Sequence, residues 1–240
     1  MQQARRHFST VTDAFIYGDW LLHANQEIQQ EFLLYWTTEA SVILGMKDSF
    51  APHFKEAIPT LPYPAVIRSS GGRAIINNDG IINLSLYYTG NDTIDAAYQK
   101  MVTIIENLCH CQFEVGEVTG SYCPGRFDLA IDGKKVAGLS QRRYKDSIVV
   151  MCYLSLRGDQ IERGTWLQHF YHVAGDPSIE IQPTTMTVLE TTTPEMLQYT
   201  LFKNYEPLEI APWLQYHWQH PQLIEKMMKQ WQQRQKLLEE

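Results

Sequence analysis

No apolar run in the chain approaches the roughly 20 residues that span a bilayer, so no membrane-spanning segment is expected. Met1 to Ser9 holds Arg5 and Arg6 without an apolar stretch behind them, which argues against a secretory signal. Cysteine is scarce. The four, at 109, 111, 123 and 152, lack the spacing of a disulfide framework and read as reduced thiols in a cytoplasmic protein. Positive charge is in deficit, with 20 Lys and Arg against 27 Asp and Glu and a net charge of −7. General phosphate-backbone binding needs clustered cations, so nucleic acid is not an expected partner. Metal ligands are poorly spaced as well. Cys109-His110-Cys111 lacks the two to four intervening residues of a zinc pair, and His169 with His172 has no third ligand in view, so no metal is expected. Neither repeats nor low-complexity linkers occur.

What is present suffices for a core: 44% apolar and 20% charged residues in a 240-residue chain. Helical spacing predicts helices over Val11 to about Gln29, capped by Thr12 or Asp13, and over Ile94 to about Cys109. Further helices are expected over Phe50 to Ile58, within Gly158 to His172, after Thr193-Pro194-Glu195, and from Pro221 to Glu240. Strands are expected at Phe32 to Trp36, Ser41 to Leu44, Ala65 to Ile67, Ala74 to Ile76, Ile81 to Tyr88, Phe113 to Val118 and Ser147 to Leu156. Intermixed strands and helices without a regular βαβ succession point to an α+β fold with mixed, largely antiparallel sheets. The whole of 1–240 reads as one catalytic domain, with a small C-terminal helical appendage from about 184 as the alternative. Trp213, Trp218, Trp231, Met227 and Met228 read as packing for the C-terminal helix or as a partner surface.

The stretch with the most chemistry is Ser121 to Arg143. Cys123-Pro124-Gly125 is loop chemistry, Phe127 to Ile131 a short strand, and Asp132-Gly133 a two-residue hairpin turn. Val136-Ala137-Gly138-Leu139 is the return strand. Such a hairpin lays Lys134 and Lys135 beside the strand that follows Cys123. A cation near a thiol favours the thiolate, and a thiolate attacks acyl groups. A buried, inert cysteine and a solvated turn lysine account for the spacing as well. Upstream, Arg68-Ser69-Ser70-Gly71-Gly72-Arg73-Ala74 interrupts a strand with two glycines. That pattern permits close backbone approach to a ligand, or is simply a glycine bulge.

Together these two motifs resemble the lipoate-protein ligase and octanoyltransferase superfamily, over about Trp36 to Leu156. Cys123-Pro124-Gly125-Arg126-Phe127-Asp128-Leu129, followed by Gly133-Lys134-Lys135-Val136-Ala137-Gly138-Leu139-Ser140-Gln141-Arg142-Arg143, is most similar to the octanoyl-[glycine cleavage H protein]:protein N-octanoyltransferases. The resemblance implies a biotin/lipoate protein ligase-like catalytic domain that uses no cofactor and no metal. It implies transfer of an octanoyl group from a lysine of the glycine cleavage H protein to a lysine of a 2-oxoacid dehydrogenase E2 lipoyl domain. Cys123 would be the nucleophile and Lys135 its partner beside the thiol. Substrate would be bound by Arg68, Ser70, Gly71, Gly72, Arg73, Ala74, Gly125, Asp128 and Gly138. Three alternatives stand beside it. An octanoyl-acyl-carrier-protein transferase would share the cysteine chemistry. An ATP-dependent lipoate ligase is disfavoured by Phe127-Asp128 and by the histidine-free strand Ser147 to Leu154. A non-catalytic lipoyl-domain binder would be expected to have lost Cys123 or Lys135.

Overall fold

The computed structural model describes residues 1–239. The chain opens with β1 (Gln2–Phe8) and α1 (Val11–Ile28), then β2 (Phe32–Thr38) and β3 (Ser41–Leu44). A single helical turn, α2 (Phe54–Ala57), lies between 3₁₀ turns. After it come β4 (Ala65–Ile67), β5 (Ile75–Asn77), β6 (Ile81–Thr89) and α3 (Ile94–Cys109). A short β7 (Glu114–Val115) leads through a long loop to β8 (Leu129–Ile131), β9 (Lys134–Tyr144) and β10 (Ser147–Ser155). The remainder is α4 (Gln160–Ala174), α5 (Pro194–Asn204), β11 (Glu206–Pro207), α6 (Ala211–Gln219) and α7 (Pro221–Gln235).

Two sheets result. The larger has eight strands in the order β11-β1-β2-β6-β10-β9-β8-β7, and the smaller runs β4-β3-β5. From β2 to β7 the large sheet is antiparallel, while β1 pairs in parallel with both β2 and β11. The unbroken apolar run of β2 follows from burial on both faces. Leu33 and Tyr35 join the core that α3 covers, and Phe32, Leu34 and Trp36 join the one that α1 and α6 cover. In β10 the same alternation sends Ile148, Val150, Cys152 and Leu154 to the α3 side. Cys152 is fully enclosed there, and burial pushes its thiol well up, away from the reactive thiolate. The small sheet packs with α2 and α4 around a third cluster that reaches Tyr122 and Tyr153. No described helix is long and apolar enough to cross a membrane.

Several expectations are corrected. Thr10, not Thr12 or Asp13, caps α1, its side chain accepting from the Asp13 N–H. Met1 to Ser9, read only for a signal, supplies β1. The helix expected over Phe50 to Ile58 is broken, because Pro52 disfavours helical geometry at Ala51, which is extended. The strand expected over Phe113 to Val118 shrinks to two residues. In the C-terminal region Trp213, Met227 and Trp231 are buried, whereas Trp218 and Met228 are exposed. Residue 240, the end of the expected terminal helix, lies outside the described residues.

Candidate active site

Two backbone segments meet at the Cys123 sulfur, and a third braces them. The first is the Cys123 loop. Cys123 sits in the left-handed region at φ 50°, a conformation that costs a non-glycine residue roughly 1–3 kcal/mol and persists only where its surroundings hold it. The hold comes from the hairpin. Asp132 and Gly133, both at positive φ, make the tight turn, and strand alternation then turns Lys134 to solvent and Lys135 inward. Lys135 is 1% exposed. Its ammonium donates to the carbonyl of Cys123 at 2.7 Å and that of Tyr122 at 3.1 Å, and pairs with Asp128 at 2.9 Å. The other Asp128 oxygen accepts from the N–H groups of Gly125 and Val118. Burial pushes the Asp128 carboxyl up, and Lys135 draws it part of the way back.

The second segment is the glycine loop between β4 and β5. Arg68 is buried and folds back along the loop. It donates to Gly71 O at 3.0 Å and Arg73 O at 2.8 Å, and its Nη2 lies 3.5 Å from the Cys123 sulfur. The Arg73 backbone N–H donates to the same sulfur at 3.1 Å. The third segment is the turn after β3. A Cβ on Gly45 would lie 1.9 Å from the Gly72 carbonyl oxygen, so only glycine lets the two backbones approach. Asp48 anchors this turn by accepting from the Gly45 N–H at 2.8 Å, from Tyr171 and from the Arg73 guanidinium. Burial pushes its carboxyl up against those three pulls. Tyr171 in turn accepts from the Ala74 N–H, and Asp176 accepts from the same Arg73 Nη1 that donates to Asp48.

Behind the sulfur lies a cavity of about 290 Å³. Phe15, Trp36, Ile43, Ile75, Leu139 and Met151 give it apolar walls between the two sheets. Of the expected substrate-binding residues, Arg68, Ser70, Gly71, Gly72, Gly125 and Gly138 line it. The Ser70 hydroxyl is buried there without a partner. The side chains of Arg73, Ala74 and Asp128 do not line the cavity: Asp128 is held by Lys135, the Ala74 N–H by Tyr171, and the Arg73 guanidinium by Asp48 and Asp176. Lys135 lies beside the Cys123 backbone, not its thiol. Its three ammonium donors are taken by Asp128 and two carbonyls, and none reaches the sulfur. The cation facing the thiol is Arg68. Tyr171 and Asp176 were not expected at the site. Asp48 had one signal, its place three residues after Gly45, whereas Tyr171 and Asp176 lie too far away in the chain for spacing to show them. His169 and His172 are exposed on α4, and no group of metal ligands occurs among the described residues.

The chain matches the lipoyl protein ligase A/B catalytic domain over residues 11–205. It belongs to that family. An octanoyl-[GcvH]:protein N-octanoyltransferase of Staphylococcus aureus is 37% identical over 181 residues, which cover 69% of this chain and 65% of the relative. A lipoyl-[GcvH]:protein N-lipoyltransferase of Listeria monocytogenes is 38% identical over 149 residues, covering 58% and 54%. The chain thus spans less than two thirds of the length of these curated relatives. The solved structure of a lipoate-protein ligase A bound with ATP superposes with a TM-score of 0.69, covering 95% of this chain and 94% of its own at 13% identity. The α+β fold expected from the resemblance is the one found.

The geometry makes adjacent glycines of the loop unequal. Gly72 has φ +101°, and a Cβ there would lie 2.8 Å from the Cys123 sulfur and 2.4 Å from Arg68 Nη2. At Gly71 a Cβ meets nothing within 4 Å. Gly72→Ala is therefore expected to lose at least about 2 kcal/mol, from left-handed strain and overpacking. Gly71→Ala should stay within about 0.5 kcal/mol of the parent. Urea unfolding midpoints of the two variants check this.

Proposed function

We propose that this protein is an N-octanoyltransferase acting by transamidation, with Cys123 carrying the acyl group as a thioester. The observation that supports it best is the thiol itself. It stands at the mouth of an apolar cavity, faced by a backbone N–H and a guanidinium. Apolar walls suit an eight-carbon chain, each buried methylene contributing up to about 0.8 kcal/mol. The relatives named for octanoyl transfer from GcvH support the choice of donor.

In this reading the Cys123 thiolate attacks the carbonyl of octanoyl-lysine on the H protein. The N–H of Arg73 and the guanidinium of Arg68 both face the sulfur. The tetrahedral intermediate collapses with loss of the donor lysine's amine, which must be protonated as it leaves. The proposed proton donor is Lys135, whose bond to the Cys123 carbonyl must open for it to act. The amine of an E2 lipoyl-domain lysine then attacks the thioester and regenerates the thiol. A cytoplasmic site is part of the proposal. Lipoyl in place of octanoyl is the second reading, favoured by the relative named for lipoyl transfer.

Intact-protein mass spectrometry after mixing with octanoylated H protein, without ATP, tests this. A hydroxylamine-labile octanoyl adduct, absent in Cys123→Ala, is the expected result. An adduct only from lipoylated H protein would select the second reading. One only from octanoyl-acyl-carrier protein would change the donor. Transfer that needs ATP and free acid would make the protein a ligase.

A further inference from the structure

The glycine loop is held from a part of the chain that lies far from it in sequence. β4 is the outer strand of the small sheet and pairs only with β3, so its other side presents backbone groups with no strand to bond. At Ile67, its last residue, the side chain of Gln235 takes both groups. Oε1 accepts from the Ile67 N–H at 2.7 Å, and Nε2 donates to the Ile67 carbonyl at 2.9 Å. On the opposite side the Arg68 N–H donates to Leu44 O at 2.9 Å. From this point, clamped on two sides, the Arg68 side chain spans the loop and reaches the sulfur. One helical turn before Gln235, on the same face of α7, Trp231 stacks on Phe15 with centroids 5.3 Å apart. Phe15 lines the cavity. α7 therefore touches the site twice, once behind its aromatic wall and once at the root of its loop.

We propose that Gln235 is a positioning residue for the glycine loop, its carboxamide acting as the missing strand partner of β4 and so holding Arg68 at the Cys123 sulfur. A carboxamide offers an acceptor and a donor side by side, as a peptide unit does. Leucine fills a similar space and offers neither. Glutamate offers only acceptors while ionised, and then faces the Ile67 carbonyl oxygen with like charge. Once protonated it offers both again, and that contact raises its proton affinity.

The test uses the full chain and two readouts. One is deuterium exchange at amides 68–73, and the other is single-turnover acylation of Cys123 by octanoylated H protein. Only the second rests on the proposed function. Gln235→Leu is expected to speed exchange about tenfold and slow acylation about tenfold, the factor that corresponds to about 1.4 kcal/mol. α7 itself should keep its protection, because Trp231 and Met227 still dock it. Gln235→Glu should share the defect at about pH 8 and recover, relative to the parent, toward about pH 5. Parental exchange at 68–73 in Gln235→Leu would overturn the proposal. So would loss of protection along the whole of α7 with no pH-dependent recovery in Gln235→Glu, since Gln235 would then be an anchor of the helix alone. Faster exchange in a protein whose parent form is never acylated would sustain the positioning role while removing the proposed function.

Discussion

Cys123→Ala is expected to abolish octanoyl transfer, by about four orders of magnitude or more, while leaving the fold intact. The chemical reason is that an amide is a poor acyl donor. Without the sulfur there is no thioester to divide the transamidation into two feasible attacks, and direct aminolysis between two protein-bound lysines has no covalent relay. The structural reason for an intact fold is that the sulfur is only partly buried, at the edge of the small-sheet core. It faces a cavity and accepts two bonds, from Arg73 and Arg68. Arg68 keeps its bonds to Gly71 O and Arg73 O in the variant. Alanine suffers about the same strain as cysteine at φ 50°. Single-turnover transfer and urea unfolding, measured on the same preparation, check both halves. A variant that retained transfer within tenfold of the parent would sink the thioester.

Lys135→Met is expected to damage stability and activity together, losing about 3–5 kcal/mol. Methionine fills the space but leaves the Asp128 carboxylate buried without its cation and two carbonyls without a donor. The pH dependence has a definite sign. Burial already raises the Asp128 carboxyl with Lys135 present, and removing Lys135 raises it further. An acid with a folded pKa above its unfolded value binds protons preferentially in the folded state. The penalty is therefore complete above the folded value and relieved as pH falls toward the unfolded one, near 3.9. Unfolding of Lys135→Met should thus become harder, relative to the parent, as pH falls from about 8 to 5. Asp128→Asn/Lys135→Met should regain much of the stability, because no buried charge remains. It should not regain transfer, because the Cys123 carbonyl is still unclamped and no ammonium is present. Recovery of activity in the double variant would show that Lys135 serves only to neutralise Asp128.

Much of the site was legible before any coordinates, for reasons of local chemistry. Asp132-Gly133 suits a two-residue turn, and that turn puts Lys135 within reach of the Cys123 loop whatever the rest of the chain does. Gly71-Gly72 between two short apolar runs marked a place where backbone could approach something closely, though a plain bulge fitted the pattern as well. The stripe from Ile94 to Leu108 set α3 and its buried face, with Ile94 alone of the stripe exposed. Which atoms meet was another matter. Spacing brought a lysine near a cysteine, but the ammonium's three donors are claimed by a carboxylate and two carbonyls, and this competition is visible only once all the partners are in place. Arg68, Asp48 and the Tyr171–Asp176 pair come from three separate parts of the chain, and no sequence interval relates those parts. Gln235 lies 168 residues from Ile67. Turns, caps and periodic faces depend on neighbours along the chain, so the chain alone settles them. The charge beside the sulfur and the clamp on its loop depend on which distant groups win each buried donor and acceptor, and only packing of the whole chain decides that.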